Sequence, residues 1–227
     1  LQTVKREFDS FRPDVVIVEG VPYTGETSPA WYLDHCRAQA KNDFAGGGES
    51  AYATVLAADR GIAFVPGEPS EHVVFDTLRD QGFTRNDFLG WHAARMIRQE
   101  LAANNKIDIA GEVKQAADNY LQVLDIHDMK FDFEDFAAWY EGRMGKAVSL
   151  ESIADDDFSP SSAPDAGFLQ KMTQAADKMR EPHILKIISE QLRTHDRVLV
   201  VFGSAHLAKQ LGVLTRMMGA PQHFKIA

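Results

Sequence analysis

The sequence lacks a second cysteine, a long hydrophobic run and an excess of positive charge. Its single cysteine, Cys36, cannot form a disulfide within the chain, and we interpret it as an ordinary thiol. No stretch reaches the roughly 18 consecutive apolar residues that a membrane-spanning helix needs, so we predict no transmembrane segment. The net charge of −9 argues against nucleic acid or an anionic membrane surface as the main partner. The compartment stays open, since reduced proteins occur in both the cytoplasm and the periplasm.

The common nucleotide-binding and nucleophile motifs are also missing. The sequence contains no Gly-x-Gly-x-x-Gly, P-loop, Gly-x-Ser-x-Gly or paired-cysteine pattern. Ser204 lies in the segment Gly-Ser-Ala-His, which is not a nucleophile elbow because the second glycine is absent. Six histidines show no metal-ligand spacing, and we interpret them as surface or helix residues: His35, His72, His92, His127, His195 and His223.

Short apolar runs alternate with helical patterns at both ends of the chain. The runs at 15–18, 62–65 and 198–202 have the length and β-branched composition of buried strands. Helical periodicity precedes, separates or follows them, in the opening segment up to Phe11, at 31–42, at 49–60 and from about Ala205. This alternation predicts an α/β fold with a mainly parallel central sheet flanked by helices.

The middle of the chain, at about 70–182, contains no convincing strand. Helical patterns occupy 71–81, 87–104 and 111–124, and an aromatic, acidic segment follows at 131–140. A further helical pattern at 168–193 is expected to break before Pro182, because proline removes a backbone donor. With 227 residues, of which 44% are hydrophobic, we predict a single α/β domain over 1–227 with a mostly helical insertion at about 70–182.

Side chains that can bind metals follow the predicted strands. Glu19 comes directly after the first strand, Glu68 lies in Pro-Gly-Glu-Pro after the second, and His206 follows the last. Ligands in open α/β sheets bind beyond the carboxyl ends of the strands, so we expect these side chains to converge. Glu49 follows three glycines, which allow close approach of a ligand to the backbone. Carboxylate and imidazole ligands suit Mn, Fe, Co or Zn, and a glutamate can act as general base toward bound water.

Each of these residues also has a purely structural alternative. Glu19 could be a surface loop residue, Glu49 a favourable first-turn charge, and His206 a helix cap or a satisfied core histidine. Arg180 precedes a helix that leads to the last strand, where it either clamps an anionic substrate group or is a surface arginine. His183 is a weaker candidate of the same kind.

These segments together resemble the TraB/PrgY/Tiki branch of the erythromycin-esterase/ChaN/Tiki-like superfamily. The segment Gly-Ser-Ala-His at 203–206 is similar to the C-terminal Gly-x-x-His motif of the branch, and VVIVEG is similar to its strand that ends in glutamate. GGGESAYATVLAADRGI resembles the helix-borne second glutamate, and the segment at 180–184, Arg-Glu-Pro-His-Ile, resembles the arginine segment before the last strand.

The sequence departs from the branch at two points. The branch has another Gly-x-x-His on a strand before its first helix, and this sequence begins at that helix, so we expect the partner half of the metal site to lie upstream of Leu1. Pro-Gly-Glu-Pro around Glu68 also replaces the expected acidic–arginine pair. The resemblance implies a metal-dependent hydrolase that favours peptide bonds, with His206, Glu19 and Glu49 around the metal or its water and Arg180 at the substrate.

Two other functions stay open at this point. A haem- or peptide-binding protein would keep the pocket without an activated water, and a metal-independent esterase would use a histidine base oriented by a glutamate. For the leading hypothesis the predicted metal ligands are His206, Glu19, Glu49 and Glu68, and the catalytic residues are Glu19, Glu49 and Arg180. The cofactor is a divalent metal, the substrate is a small molecule or a peptide, and the oligomeric state is open.

Overall fold

The protein is described by a computed structural model that covers residues 1–20, 29–44, 48–103 and 105–221. These residues form an α/β fold in which helices flank a three-stranded, all-parallel sheet, as the sequence predicts. None of the helices in these ranges combines the length and apolar character needed to cross a membrane. The chain divides into two compact units, Leu1–Ser70 with Arg180–Ala227, and Glu71–Met179, and the bounds of the second are close to those of the predicted insertion.

Ten α-helices and three strands are found in the described ranges. The strands are β1 (Val15–Val18), β2 (Ala63–Pro66) and β3 (Val198–Val201). The helices are α1 (Gln2–Phe11), α2 (Pro29–Gln39), α3 (Gly48–Asp59), α4 (Glu71–Asp80), α5 (Arg85–Ala102), α6 (Ile109–Val123), α7 (Phe133–Met144), α8 (Leu150–Ala154), α9 (Phe168–Leu192) and α10 (Ser204–Met218). A single 3₁₀ turn, Ala40–Asn42, follows α2.

The sheet of the first unit has the strand order β2-β1-β3, with β1 in the middle. Every residue of β1 is buried, as its all-β-branched sequence predicts for the central strand of a parallel sheet. β2 and β3 are edge strands and are only partly buried. β2 begins and ends one residue later than predicted, at Ala63 and Pro66, and β3 ends one residue earlier, at Val201 instead of Phe202.

Helices cover both faces of this sheet. Successive side chains of β1 point to opposite faces, and because all of them are apolar, both faces must be buried. Val16 and Val18 pack with the fully buried Phe8 of α1 and with alanines of α3, whereas Ile17 packs with Ile184 and Ile188 of α9. α1 ends as predicted at the Arg-Pro step. Arg12 adopts a left-handed conformation, with φ of 51°, and its N–H donates to the carbonyl oxygen of Phe8.

The second unit contains helices and no strand in its described residues, and it has a large aromatic core. Trp91, Phe88, Phe136 and Tyr140 are almost fully buried there. Asp87 connects α5 with α7 within this unit. It forms a capping box with Thr84, and it also accepts a hydrogen bond of 2.9 Å from the indole Nε1 of Trp139 and pairs with Arg143.

The predicted break before Pro182 is wrong, since Pro182 lies inside the continuous helix α9. Proline removes one intrahelical hydrogen bond, but buried residues stand on both sides of it. Met172 and Ala176 belong to the core of the second unit, and Ile184 and Ile188 belong to the core of the first. The packing of these residues outweighs the local cost of the proline, which is about 3 kcal/mol in a helix interior.

Candidate metal site

The carboxyl ends of the three strands bring Glu19, Glu68 and His206 together. One ligand atom from each residue lies within 4.8 Å of the other two. The Nε2 atom of His206 is 3.5 Å from Oε1 of Glu19 and 3.8 Å from Oε1 of Glu68. The three residues come from distant parts of the sequence and meet because all strands of the sheet run in the same direction.

His206 lies in the first turn of α10 and is held by its other ring nitrogen. Nδ1 is 2.9 Å from Oε1 of Glu181, and the ring packs edge-on against Phe202 with 5.5 Å between centroids. An ionised carboxylate can only accept, so in a neutral ring Nδ1 carries the hydrogen and Nε2 offers its lone pair. That lone pair faces Glu19 and Glu68.

Glu181 is itself fixed by α10. Its Oε2 atom accepts a hydrogen bond of 2.6 Å from Nε2 of Gln210, and its Oε1 atom is 3.6 Å from Nζ of Lys209. Glu181 is a site residue that was not predicted from the sequence, although its neighbour on α9, Arg180, was. An acidic residue beside a candidate site residue, on a helix that leads back to the sheet, was the available signal.

Glu68 is held by Arg180. The guanidinium donates to both carboxylate oxygens, with Nε 2.8 Å from Oε2 and Nη2 2.7 Å from Oε1. The two side chains are 19% and 9% exposed, so this bidentate pair is largely shielded from water. A role for Arg180 at the substrate stays a prediction, since the structure engages its Nε and Nη2 with Glu68.

Glu19 is the most accessible of the three site residues, with 37% of its side chain exposed. The backbone N–H of Gly203 donates to its Oε2 atom at 2.6 Å. A Cβ at position 203 would lie 3.2 Å from that oxygen, so glycine lets the strand end approach the carboxylate closely.

The pKa values of Glu19 and His206 shift in opposite directions. The hydrogen bond with His206 lowers the pKa of Glu19 against the effect of burial, and the N–H of Gly203 adds to the lowering. The same hydrogen bond raises the pKa of His206, again against burial, and Glu181 adds to the rise. Both shifts favour the charged forms, because a carboxylate and an imidazolium in contact stabilise each other.

Glu49 does not join the group of three ligands. It lies in the first turn of α3, exposed to solvent, where its charge favours the helix N-terminus. Both Glu49 and Glu19 line a cleft of about 690 Å³ in the first unit. Glu49 thus borders the cleft beside the candidate site, and its predicted role as a ligand is not matched by the geometry of the described residues.

The remaining predicted residues can be placed briefly. His183 lies on α9 and is partly buried, and burial lowers its pKa. His92 is a buried residue of α5, stacked on Tyr120 with 3.7 Å between ring centroids. His223, Gly46 and Gly47 lie outside the described residues.

The donor set fits a divalent cation of the first transition series. In a tetrahedral site with ligand bonds near 2.1 Å, neighbouring donors are about 3.4 Å apart. The separations of 3.5 and 3.8 Å from His206 Nε2 are close to that value. Two carboxylates and one imidazole suit Mn, Fe, Co or Zn, and three protein ligands leave a position for water or substrate. Arg180 pairs with Glu68, and Lys209 lies 3.6 Å from Glu181, so these cations lie beside two of the three carboxylates around His206.

A comparison of this chain with protein-family models, curated proteins and solved structures finds no match.

Proposed function

We propose that this protein is a metal-dependent hydrolase whose cation is held by Glu19, Glu68 and His206. The orientation of His206 supports this most directly. Its Nδ1 atom is engaged by Glu181 while its Nε2 atom faces two carboxylates. A histidine with one nitrogen on a carboxylate and the other toward further ligands is the usual arrangement of histidine at metal sites.

The residues of the proposed centre have different roles. A bound cation supplies Lewis-acid activation of water and of the substrate carbonyl. Glu68, 9% exposed and paired with Arg180, serves as a fixed ligand. Glu19 borders the cleft and is the carboxylate that can accept a proton from an attacking water and pass it to the leaving group. Glu181 and Gln210 hold the imidazole in one orientation.

A metal-independent esterase is the second candidate, favoured by the contact between Glu181 and His206. A carboxylate that orients an imidazole is also the arrangement of a general base. In this protein, however, the free nitrogen of His206 faces Glu19 and Glu68, whereas a base that activates a nucleophile needs a hydroxyl or a water in that direction. A haem ligand is disfavoured because Glu7, Glu19 and Glu49 line the cleft and would repel its propionates.

The test compares the wild-type protein with the variants His206→Ala and Glu68→Gln. Each is stripped with chelator, loaded with Mn, Co or Zn, and examined for metal content by mass spectrometry and for hydrolysis of p-nitrophenyl acetate and quenched fluorescent casein. We expect the wild type to lose activity with chelator and regain it with cation, and both variants to lose cation and activity together. Glu190→Gln, a change at an exposed residue of α9 outside the group of three ligands, is the control.

Two results would contradict the proposal. Hydrolysis that is insensitive to chelator but lost in His206→Ala would support the metal-independent esterase. If cation binding and hydrolysis both persist in His206→Ala, the proposed site takes no part in the reaction. Circular dichroism of each variant separates these results from a loss of folding.

A further inference from the structure

The outer edge of β3 offers hydrogen-bonding groups to an additional strand. β3 pairs with β1 in parallel, and the N–H of Glu19 donates to the carbonyl oxygen of Val201. Backbone groups alternate in direction along a strand, so Val201 faces β1 while Val200 and Phe202 turn their N–H and C=O groups away from it. No strand in the described part of the chain pairs with that side.

The cleft beside the candidate site is lined in part by this strand. Val200, Phe202 and Gly203 line it together with residues of α1, including Glu7. Val200 is 38% exposed, although it lies in the middle of a strand. The volume of about 690 Å³ is within the range of sites that bind small ligands or short peptide segments.

The charge of the cleft selects for a positively charged ligand. The carboxylates of Glu7, Glu19 and Glu49 line it, and no lysine or arginine side chain is found among the described residues of its lining. An extended peptide is the ligand class that satisfies a free strand edge, because its own backbone supplies the complementary donors and acceptors.

We propose that an extended, positively charged peptide binds in this cleft as an added strand on β3. Its backbone pairs with the N–H and C=O groups of Val200 and Phe202, and its lysine or arginine side chains meet Glu7 and Glu49. The peptide leads along β3 toward Gly203, whose N–H holds Glu19, so its main chain reaches the proposed metal centre. This names the substrate class of the hydrolase, and it rests on the proposed function for turnover but not for binding.

The test measures binding without chemistry, in the presence of chelator. The probes are fluorescein-labelled peptides of about eight residues that alternate valine with lysine, or valine with glutamate, and a lysine peptide whose alternate amides are N-methylated. Fluorescence anisotropy gives the affinity. We expect the lysine peptide to bind at least tenfold more tightly than either of the others, because the glutamate peptide meets like charge and the methylated one cannot donate to the edge.

Two protein variants locate the binding on β3. Val200→Pro removes an outward N–H without touching the ladder to β1, and Val200→Thr keeps that N–H as the matched control. We expect about fivefold or greater loss of affinity in Val200→Pro and little change in Val200→Thr. Glu7→Gln combined with Glu49→Gln should weaken binding of the lysine peptide, and Glu141→Gln, an exposed change outside the lining of the cleft, should not. In the wild type, NMR hydrogen exchange should show new protection at the amides of Val200 and Phe202 when peptide is added.

Several outcomes would overturn the proposal. Equal binding of the lysine and glutamate peptides would exclude the charge argument, and unchanged affinity for the N-methylated peptide would exclude strand addition even if Val200→Pro fails to fold. Protection of the Val200 and Phe202 amides before peptide is added would mean that a second copy of the chain or a preceding segment covers the edge. Peptide binding without metal-dependent hydrolysis would instead contradict the proposed function alone, and metal-dependent ester hydrolysis without peptide binding would contradict only this inference.

Discussion

Glu181 on α9 and His206 on α10 are joined by a contact of 2.9 Å between Oε1 and Nδ1. The contact determines which ring nitrogen is available as a ligand. Nδ1 is engaged by Glu181, and Nε2 faces Glu19 and Glu68. In the proposed metal centre, Glu181 would thus control cation affinity through the orientation of His206 without being a ligand itself.

The substitution Glu181→Ala should therefore weaken cation binding by about 10- to 100-fold, the usual cost of losing an outer partner of a ligating histidine. Glu181→Gln should weaken it less, because an amide oxygen still accepts the hydrogen from Nδ1. Isothermal titration with Zn or Mn gives both affinities. Glu190→Gln on the same helix provides the reference, and an affinity for Glu181→Ala equal to that reference would show that the contact does not orient the ring.

The ligand set itself can be tested by comparing Glu19 with Glu49. Glu19→Gln should lower cation affinity by about tenfold or more, because it replaces a charged oxygen donor with a neutral one. Glu49→Gln should change it by less than about threefold, since an exposed charge outside the ligand group contributes little. The same titrations measure both. Comparable losses in the two variants would restore Glu49 as a ligand.

Gly67 is a packing requirement directly before Glu68. A Cβ there would lie 2.6 Å from Cζ of Phe202 and 2.9 Å from Cγ2 of Ile17, both closer than side-chain carbons normally approach. We expect Gly67→Ala to reduce the free energy of unfolding by about 1–3 kcal/mol in urea titrations. Gly142→Ala on α7, where a Cβ meets nothing within 4 Å, should be neutral or stabilising by about 0.5–1 kcal/mol. Equal effects of the two changes would refute the steric account.

Asp87 makes the stability of the second unit depend on pH. Burial opposes its ionisation, but the hydrogen bonds from the Thr84 backbone, Trp139, the Thr84 hydroxyl and Arg143 outweigh burial and hold the pKa of this carboxyl below its ordinary value of 3.8. A carboxyl whose pKa is lower in the folded protein than in the unfolded chain stabilises the folded state. This stabilisation is complete above the pKa of the unfolded state and is lost as the pH falls through the pKa of the folded state. Asp87→Asn should therefore cost about 1–3 kcal/mol near neutral pH and progressively less under acidic conditions.

Urea unfolding monitored by tryptophan fluorescence at about pH 7 and about pH 3 checks this. The exposed Asp118→Asn on α6 is the control and should show a small difference at both pH values. A cost for Asp87→Asn that grows toward acidic pH would contradict the assigned direction of the shift.

The strands and the residues that follow them could be predicted because burial leaves a local signature. A run such as Val15–Val18 can hardly be anything but a central strand, and Glu19 directly after it then lies at the carboxyl edge of the sheet. Glu68 and His206 were predicted by the same reasoning applied to β2 and β3. The fold class and three members of the site group thus follow from short, local patterns.

The remaining features depend on contacts that local patterns do not report. Glu181 is an ordinary helical glutamate until α9 packs beside α10 and brings Gln210 to it. Arg180 was expected at the substrate. It pairs instead with Glu68, from which it is separated by 112 positions in the sequence. Pro182 carries a strong local signal for a break, and burial on both sides overrides it. In each case tertiary packing decides what propensity alone leaves open.

The hydrogen bond from Gly203 to Glu19 spans 184 residues of sequence. Pairing of β1 with β3 therefore closes a very long loop, and parallel pairings of this kind form slowly because chain entropy is lost before the contacts are gained. During synthesis β1 is made long before β3, so it can pair with β2 on one edge while its other edge stays unpaired. His206 joins Glu19 and Glu68 only after that last strand has added, so the capacity to bind a cation should arise late in folding. Metal uptake would then report completed folding of the first unit, with a time course that follows the slowest folding step.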